Sequence, residues 1–236
     1  MSSFRRQRTS WGDQPHEQEY WLSYSDLLAG MLMIFALMLF AALHHYGGII
    51  QQAGQIANTK SEIIAKLDSI MRTDSSGVTV DPKTGAVKFP DGVLFGEGQA
   101  TLQPAGRDQL NSFASRYFSV LLGDPAIRQE LRAVVIEGHT NDNGSYMYNL
   151  DLSQRRAFAV MQHLLSSAPE HQESLKEFVT ASGRSFSQPV CGDGEVHSFP
   201  CPAGPVDQVR SRRIEILFRL RDEEVLQQVR ELLLVR

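Results

Sequence analysis

The longest uninterrupted apolar stretch of the chain lies near its N-terminus. Every residue from Leu27 to Leu43, seventeen in all, is apolar or glycine. As a helix this stretch covers ~25 Å, which is short of the ~30 Å hydrocarbon core of a membrane. A helix that begins at Trp21 is ~34 Å long by Leu43, which is enough to span with some tilt. The pattern therefore predicts one transmembrane helix over residues 21–46, with Asp26 inside it.

Asp26 is the one acidic side chain of that predicted span. An ionisable group within a membrane helix costs a few kcal/mol, so Asp26 is a candidate functional residue. It shares a helical face with Ala29, Gly30 and Met33, whose small or pliable side chains allow another helix to approach. One helix cannot shield a carboxylate from lipid, so this interpretation requires a membrane partner or self-association. The alternative is that Ser25 or Asp26 only caps a shorter helix at the membrane surface.

The distribution of basic residues predicts the orientation of the span. Arg5, Arg6 and Arg8 precede it, whereas the first lysine or arginine after it is Lys60. This asymmetry places residues 1–20 in the cytoplasm and the rest of the chain on the other side. A cleaved signal peptide is not favoured, because the apolar run is longer than a normal signal core and no A-x-A site follows it.

Residues 47–76 are predicted to link the membrane span to the rest of the chain. The spacing of isoleucine and leucine between residues 56 and 70 favours an amphipathic helix, which could pair with a second copy as a stalk. Three glycines between residues 47 and 54 weaken the first part of this helix. A flexible tether therefore remains the alternative for residues 44–55.

The remaining pattern predicts one α+β domain over residues 77–221. It alternates between the period of strands and the period of helices in βαβαβ order, and it is long enough to enclose a core. The predicted elements are a hairpin within 78–89, a helix at 104–122, a strand at 134–136, helices at 153–165 and from about 169 to 183, and a strand at 214–220. The tail, residues 222–236, has the spacing of an amphipathic helix that packs on this domain or on a partner.

Cysteine usage and charge narrow the possible environment and ligands. Nine residues separate Cys191 and Cys201 in a stretch rich in glycine and proline. In an oxidising compartment the expected state is a disulfide, and two free thiols are the alternative. No histidine or further cysteine has zinc-ligand spacing, and we expect neither a metal nor a cofactor. The net charge of −4, without a basic cluster interleaved with aromatic residues, does not favour nucleic acid.

A longer motif in the domain carries a family resemblance. Residues 137–145 read E-G-H-T-N-D-N-G-S, and the matching positions that follow are Tyr148-Asn149, Leu152-Ser153 and Arg155-Arg156-Ala157. Phe95, Ala100 and Leu102 match the family's F-x-x-x-x-A-x-L segment, and Arg212 to Ile216 match its closing R-R-V-E-I strand. Over residues 78–220 the chain resembles OmpA-like domains, which bind the diaminopimelate peptide of peptidoglycan without cleaving it.

The resemblance implies a role for each matched residue. Arg156 takes the position of the binding arginine, and a guanidinium fork suits a carboxylate of the stem peptide. Asn149 would supply amide donors and an acceptor, while Tyr148 and Leu152 would shape the pocket. An equally good interpretation is that Tyr148 and Leu152 are ordinary turn and core residues.

One matched position departs from the family. The aspartate that receives the ammonium group of the ligand is replaced by Asn141, which accepts a hydrogen bond but carries no charge. Weaker binding is expected unless Asp142 or Asp151 reaches the same place.

Enzymatic interpretations are weak. Glu137 and Asp142 could be considered as a glycosidase pair. An acid at a strand end and an acid in a turn are more often solvated or hydrogen-bonded, however, and the chain carries no nucleophile motif. We therefore expect a protein that is not an enzyme.

The membrane segment carries a second resemblance. The stretch W-L-S-Y-S-D-L-L-A-G-M-L-M-I-F, residues 21–35, is similar to the B subunits of flagellar stators. This resemblance implies an inner-membrane protein of bacteria whose folded domain is periplasmic. Two B chains would stand inside a pentameric ring of multi-span A subunits, with Asp26 as the proton-carrying residue and peptidoglycan as the anchor.

Three features distinguish the chain from ordinary flagellar stators. The linker is short, the 191–201 cysteine loop is additional, and Asn141 replaces the aspartate. The whole chain most resembles the B subunit of the Zorya anti-phage defence system. A flagellar stator subunit and a passive peptidoglycan tether without ion transport are the alternatives.

Overall fold

The computed structural model describes residues 16–71, 78–168, 172–202 and 204–221. The chain divides after Gln51 into two compact units. Most of the predicted cytoplasmic segment and the whole predicted tail helix, residues 222–236, lie outside the described residues.

The first element is a long helix, α1 (His16–Met71). Within the described residues its stretch Tyr24–Gly48 is the one helical segment long and apolar enough to cross a membrane. This confirms the expected single N-terminal apolar helix. The capping interpretation is wrong, because the helix begins nine residues before Ser25 and Asp26 therefore lies in its interior. Residues 44–55, for which a flexible tether was the alternative, are helical as well.

The last part of α1 belongs to the second unit and packs on it. Its apolar stripe is buried in the core of that unit, and consists of Ile56, Ile63, Leu67 and Met71. Nη1 of Arg116 donates a hydrogen bond to the carbonyl oxygen of Ile70 at 3.2 Å. The stripe that predicted a paired stalk therefore covers its own domain, because that contact already removes these side chains from water.

The second unit is built on a five-stranded sheet. Its strands are β1 (Thr79–Val80), β2 (Val87–Pro90), β3 (Leu131–His139), β4 (Val179–Gly183) and β5 (Arg213–Leu220), in the order β1-β2-β5-β3-β4. All neighbouring strands are antiparallel except β3 and β4, which are parallel. The mixed helix and sheet content confirms the predicted α+β class.

Among the described residues, this unit contains five further helices. They are α2 (Asp91–Leu94), α3 (Pro104–Gly123), α4 (Pro125–Glu130), α5 (Tyr146–Ser167) and α6 (Gln172–Phe178). The apolar faces of α3 and α5 join one core with alternate residues of the strands. Along β5 those residues are Ile214, Ile216, Phe218 and Leu220, while Arg213 and Glu215 occupy the opposite face of the sheet and are also buried.

The helix predicted from about residue 169 to residue 183 is wrong in its second half. The chain leaves α6 at Phe178 and continues as β4, which pairs in parallel with β3 from Val134 to Gly138. Five residues carry too little periodicity to identify a strand, and pairing with β3 decides the conformation.

The helix predicted at 153–165 begins earlier, at Tyr146. Ser145 caps it, since its Oγ accepts a hydrogen bond from the Tyr148 backbone N–H at 3.2 Å. The first turns of α5 approach the sheet closely, because a Cβ on Gly138 would lie 2.2 Å from the Ser153 carbonyl oxygen. Glycine is required there, and this contact fixes where the later turns of α5 place Arg156.

Candidate functional site

The membrane carboxylate lies on an open helix face. Asp26 is exposed in the isolated chain, two positions after the first residue of the apolar segment Tyr24–Gly48. Ala29 and Met33 on the same face are also exposed, and a Cβ added at Gly30 would meet no atom within 4 Å. A second helix therefore has room to approach this face closely.

Arg156 is the central charged group of the site in the second unit, and only 3% of it is exposed. Its Nη1 lies 2.7 Å from Oδ1 of Asp91. Its Nε donates to the carbonyl oxygen of Gln99 at 2.8 Å, and its Nη2 donates to that of Gly96 at 3.2 Å. The guanidinium carbon lies 5.2 Å from the centre of the Phe95 ring, within cation–π range.

Burial and charge act in opposite directions on this pair. Burial lowers the pKa of Arg156, and the Asp91 carboxylate offsets part of that change. Burial raises the pKa of Asp91. The positive charges of Arg156 and Arg212 lower it by less, so the net change is upward. An arginine stays protonated in proteins, and its guanidinium has five N–H donors. Three are engaged by these partners, so at most two remain for a ligand carboxylate.

The other matched residues of α5 divide between turn, core and surface. Asn149 is buried, and its Nδ2 donates to the carbonyl oxygen of Asn143 at 2.8 Å, which holds the turn before the helix. Leu152 is buried. Tyr148 is 53% exposed. Its hydroxyl lies close to Gly98, 3.9 Å from the place that a Cβ added to this glycine would take. Tyr148 and the loop that holds Arg156 thus border the same place on the surface.

The turn that contains Asn141, where the family has an aspartate, is held by bonds to neighbouring segments. Asn141 and Asp142 are half-buried. Nε2 of Gln208 donates to Oδ1 of Asp142 at 2.7 Å. Asp151 pairs on the helix surface with Arg155, one turn along α5. Both acids considered as replacements for the missing charge therefore already have a partner.

Sequence analysis missed Asp91 and the backbone carbonyls that surround Arg156. Asp91 lies 65 positions before Arg156, and no local pattern joins the two. The match at Phe95 and Leu102 was the available signal, because these residues form the β-bridge that closes the loop holding Gly96 and Gln99.

A buried polar cluster lies on the opposite face of the sheet. Glu137 pairs there with Arg184, whereas Asp142 binds Gln208, so the two acids of the glycosidase hypothesis bind different partners. His139 is buried, and neither ring nitrogen has a hydrogen-bond partner among the described residues. Burial, aided by the positive charges of Arg213, Arg184 and Lys88, lowers the pKa of His139 well below its ordinary value.

Cys191 and Cys201 form a disulfide, with their Cα atoms 5.7 Å apart. The predicted bond is confirmed, and the alternative of two free thiols is wrong. The loop between them turns back at Gly194, whose backbone N–H donates to the carbonyl oxygen of Cys191 at 2.8 Å.

Known proteins resemble the α+β domain of this chain, and some of them resemble most of the chain. Residues 94–183 match the OmpA family. The Zorya protein ZorB of one Escherichia coli strain is 31% identical over 84% of this chain and 86% of its own length. ZorB of Escherichia coli O139:H28 is 28% identical over 72% of this chain and 74% of its own. Among solved structures, a MotB-like protein from Desulfovibrio vulgaris is 20% identical, with a TM-score of 0.49 over 70% of this chain and 96% of that one.

The similarity to the first of these ZorB proteins extends over most of each chain. On that extent and identity, the chain belongs to the ZorB family.

Proposed function

We propose that this chain is the peptidoglycan-anchored, proton-conducting B subunit of a stator-type motor in anti-phage defence. One observation carries the motor part of the proposal. Asp26 stands inside an apolar helix, on a face of small or pliable residues that is open in the single chain. A carboxylate in that position is tolerated only where another subunit surrounds it.

Proton transfer at Asp26 would supply the driving step. Removal of water favours the neutral form of a carboxylate, while contact with water on either side restores its charge. Asp26 thus takes up a proton from one side of the membrane and releases it to the other. One charge that crosses the field is worth ~2.3 kcal/mol per 100 mV, which is several times thermal energy.

The partners follow from the resemblance of residues 21–35 to the B subunits of flagellar stators. A multi-span A subunit, arranged as a pentamer, would surround the Asp26 face. A second copy of this chain would pair with the first inside that ring. The N-terminus lies in the cytoplasm and the α+β domain in the periplasm, consistent with the basic residues before the span and the disulfide after it.

The α+β domain would hold the subunit still against the cell wall. Arg156 presents its remaining N–H groups to a stem-peptide carboxylate beside the exposed ring of Tyr148, and Asn141 and Asp142 receive the ammonium group. Asn149 and Leu152 support this surface from below through the turn and the core. An anchored B subunit allows the ring of A subunits to turn around it.

The motor assignment is tested by Asp26→Asn, with Asp26→Glu as the variant that keeps the carboxylate. We expect Asp26→Asn to abolish phage protection and proton flux, while membrane insertion and retention on isolated sacculi stay unchanged. Asp26→Glu should keep part of both activities. Full protection with Asp26→Asn would favour a passive tether.

The wall assignment is tested by Arg156→Lys, with the exposed neighbour Arg155→Lys as its control. Lysine keeps the charge but loses the planar fork. We expect sacculus retention to fall for Arg156→Lys and to stay unchanged for Arg155→Lys, measured at a temperature at which both variants are folded. Unchanged retention in a folded Arg156→Lys protein would contradict the wall assignment.

A further inference from the structure

Three aromatic side chains from separate segments meet beside the first turn of α5. Tyr146 begins that helix, Phe186 follows β4, and Phe199 lies in the disulfide-closed loop. The rings of Tyr146 and Phe186 have centroids 5.5 Å apart at 90°, and those of Phe186 and Phe199 are 5.1 Å apart at 63°. Tyr146, Phe186 and Phe199 are called the aromatic platform below.

The aromatic platform faces solvent. Tyr146 is 46% exposed and Phe199 is 45% exposed, while Phe186 is half-buried between them. Two large rings left partly in water on each side of a third form a contiguous apolar surface. On soluble domains such a surface marks a binding site more often than a lone apolar residue does.

The backbone holds the aromatic platform in place before any ligand arrives. The Phe199 N–H donates to the carbonyl oxygen of Ser187 at 3.0 Å, and the disulfide at Cys201 lies two residues further on. Ser185 Oγ donates to the carbonyl oxygen of Tyr146 at 3.0 Å. A surface fixed in this way loses little conformational entropy when it binds.

The backbone ties the aromatic platform to the turn that is proposed to hold the stem peptide. Tyr146 lies two positions before Tyr148 on α5. The carbonyl oxygen of Ser185, next to Phe186, accepts from the N–H of Thr140 at 2.9 Å, and Thr140 precedes Asn141. Because this bond joins the two segments, a ligand held at Asn141 would lie near the platform.

We propose that the aromatic platform binds the pyranose rings of the glycan strand that carries the stem peptide. The axial C–H bonds of a sugar face are weakly positive and complement the negative face of an aromatic ring. In peptidoglycan the stem peptide is attached covalently to the sugar, so a domain that holds the peptide lies close to the glycan. The inference thus rests on the proposed wall binding and adds a sugar subsite to it.

The test uses the full chain in nanodiscs, since detergents with sugar head groups would compete. Two probes separate the subsites: intact sacculi, and glycan strands freed of stem peptides by an amidase. Phe199→Leu keeps apolar volume and removes the ring, and Phe186→Ala is the second variant. Phe158→Ala is the matched control, because Phe158 is an aromatic residue 46% exposed on the same helix, about 18 Å further along its axis.

We expect the wild-type chain to bind the peptide-free strands, and each platform variant to bind them about threefold to tenfold more weakly. Phe158→Ala should leave that binding unchanged. Sacculus binding without any binding of peptide-free strands would overturn the sugar subsite and leave the proposed wall binding intact. If the platform variants lose self-association while their glycan binding is unchanged, the rings are a contact between protein chains. That result would also overturn the sugar subsite. Binding of neither probe by the wild type would contradict wall binding itself.

Discussion

Nη1 of Arg156 lies 2.7 Å from Oδ1 of Asp91, and both side chains are almost completely buried. The residue that the family resemblance assigns to ligand binding is therefore also half of an internal ion pair. Any measurement on Arg156 has to separate these two roles, and the Asp91 side of the pair offers a way to do so.

The first prediction concerns the stability contributed by this pair. Asp91→Ala should lower the free energy of unfolding by about 3–5 kcal/mol, because it leaves the Arg156 guanidinium buried without a counter-charge. Urea unfolding measures the change. The control is Asp151→Ala, whose exposed pair with Arg155 is worth at most about 1 kcal/mol. If both substitutions lower the free energy of unfolding equally, the buried pair contributes no more to stability than the exposed pair.

The second prediction concerns Asn141, which takes the place of an aspartate in the family pattern. Asn141→Asp should tighten binding to sacculi, because it adds the carboxylate that would receive the ligand's ammonium group, and the gain should shrink at high salt. Pull-down at two salt concentrations measures it. Asn143→Asp, two positions along the same turn and exposed, is the control. An equal gain from both variants would indicate general charge attraction rather than a specific contact.

The third prediction is a pH dependence caused by His139. The pKa of His139 is well below 6.5 in the folded state, whereas in the unfolded chain it is close to 6.5. Between the folded and the unfolded pKa, the unfolded chain therefore binds more protons than the folded chain. The resulting stability is fully present above about pH 6.5 and declines as the pH falls below it. Urea unfolding at several pH values measures the decline.

His139→Gln should remove most of that decline, since glutamine does not titrate. His163→Gln, on the surface of α5, should keep it. If wild type and His139→Gln lose stability in parallel from pH 7 to pH 5, another group is responsible.

The fourth prediction concerns the disulfide. Replacing both Cys191 and Cys201 by serine should lower the free energy of unfolding by about 2.7 kcal/mol, because the unfolded chain regains the entropy of an open loop of this size. The same loss should appear when the wild type is unfolded under reducing conditions. A reduced wild type as stable as the oxidised one would rule out a stabilising role.

Local patterns in the sequence determined several features without tertiary information. The apolar run predicts a membrane helix because, once extended back to Trp21, it is long enough to span a bilayer. The stripe of α3 and the alternation of β5 predict their elements because each has a clear period over many residues. The two cysteines predict their bond because the loop between them is short and flexible.

Tertiary structure decided what depends on contacts between distant positions. β4 is a strand because β3 lies beside it, although its five residues carry no strong period. The stripe at Ile56, Ile63 and Leu67 covers its own domain, since the sheet and α3 offer it a core. Arg156 is buried against Asp91 because α5 rests on glycine at Gly138, and no spacing along the chain encodes that approach.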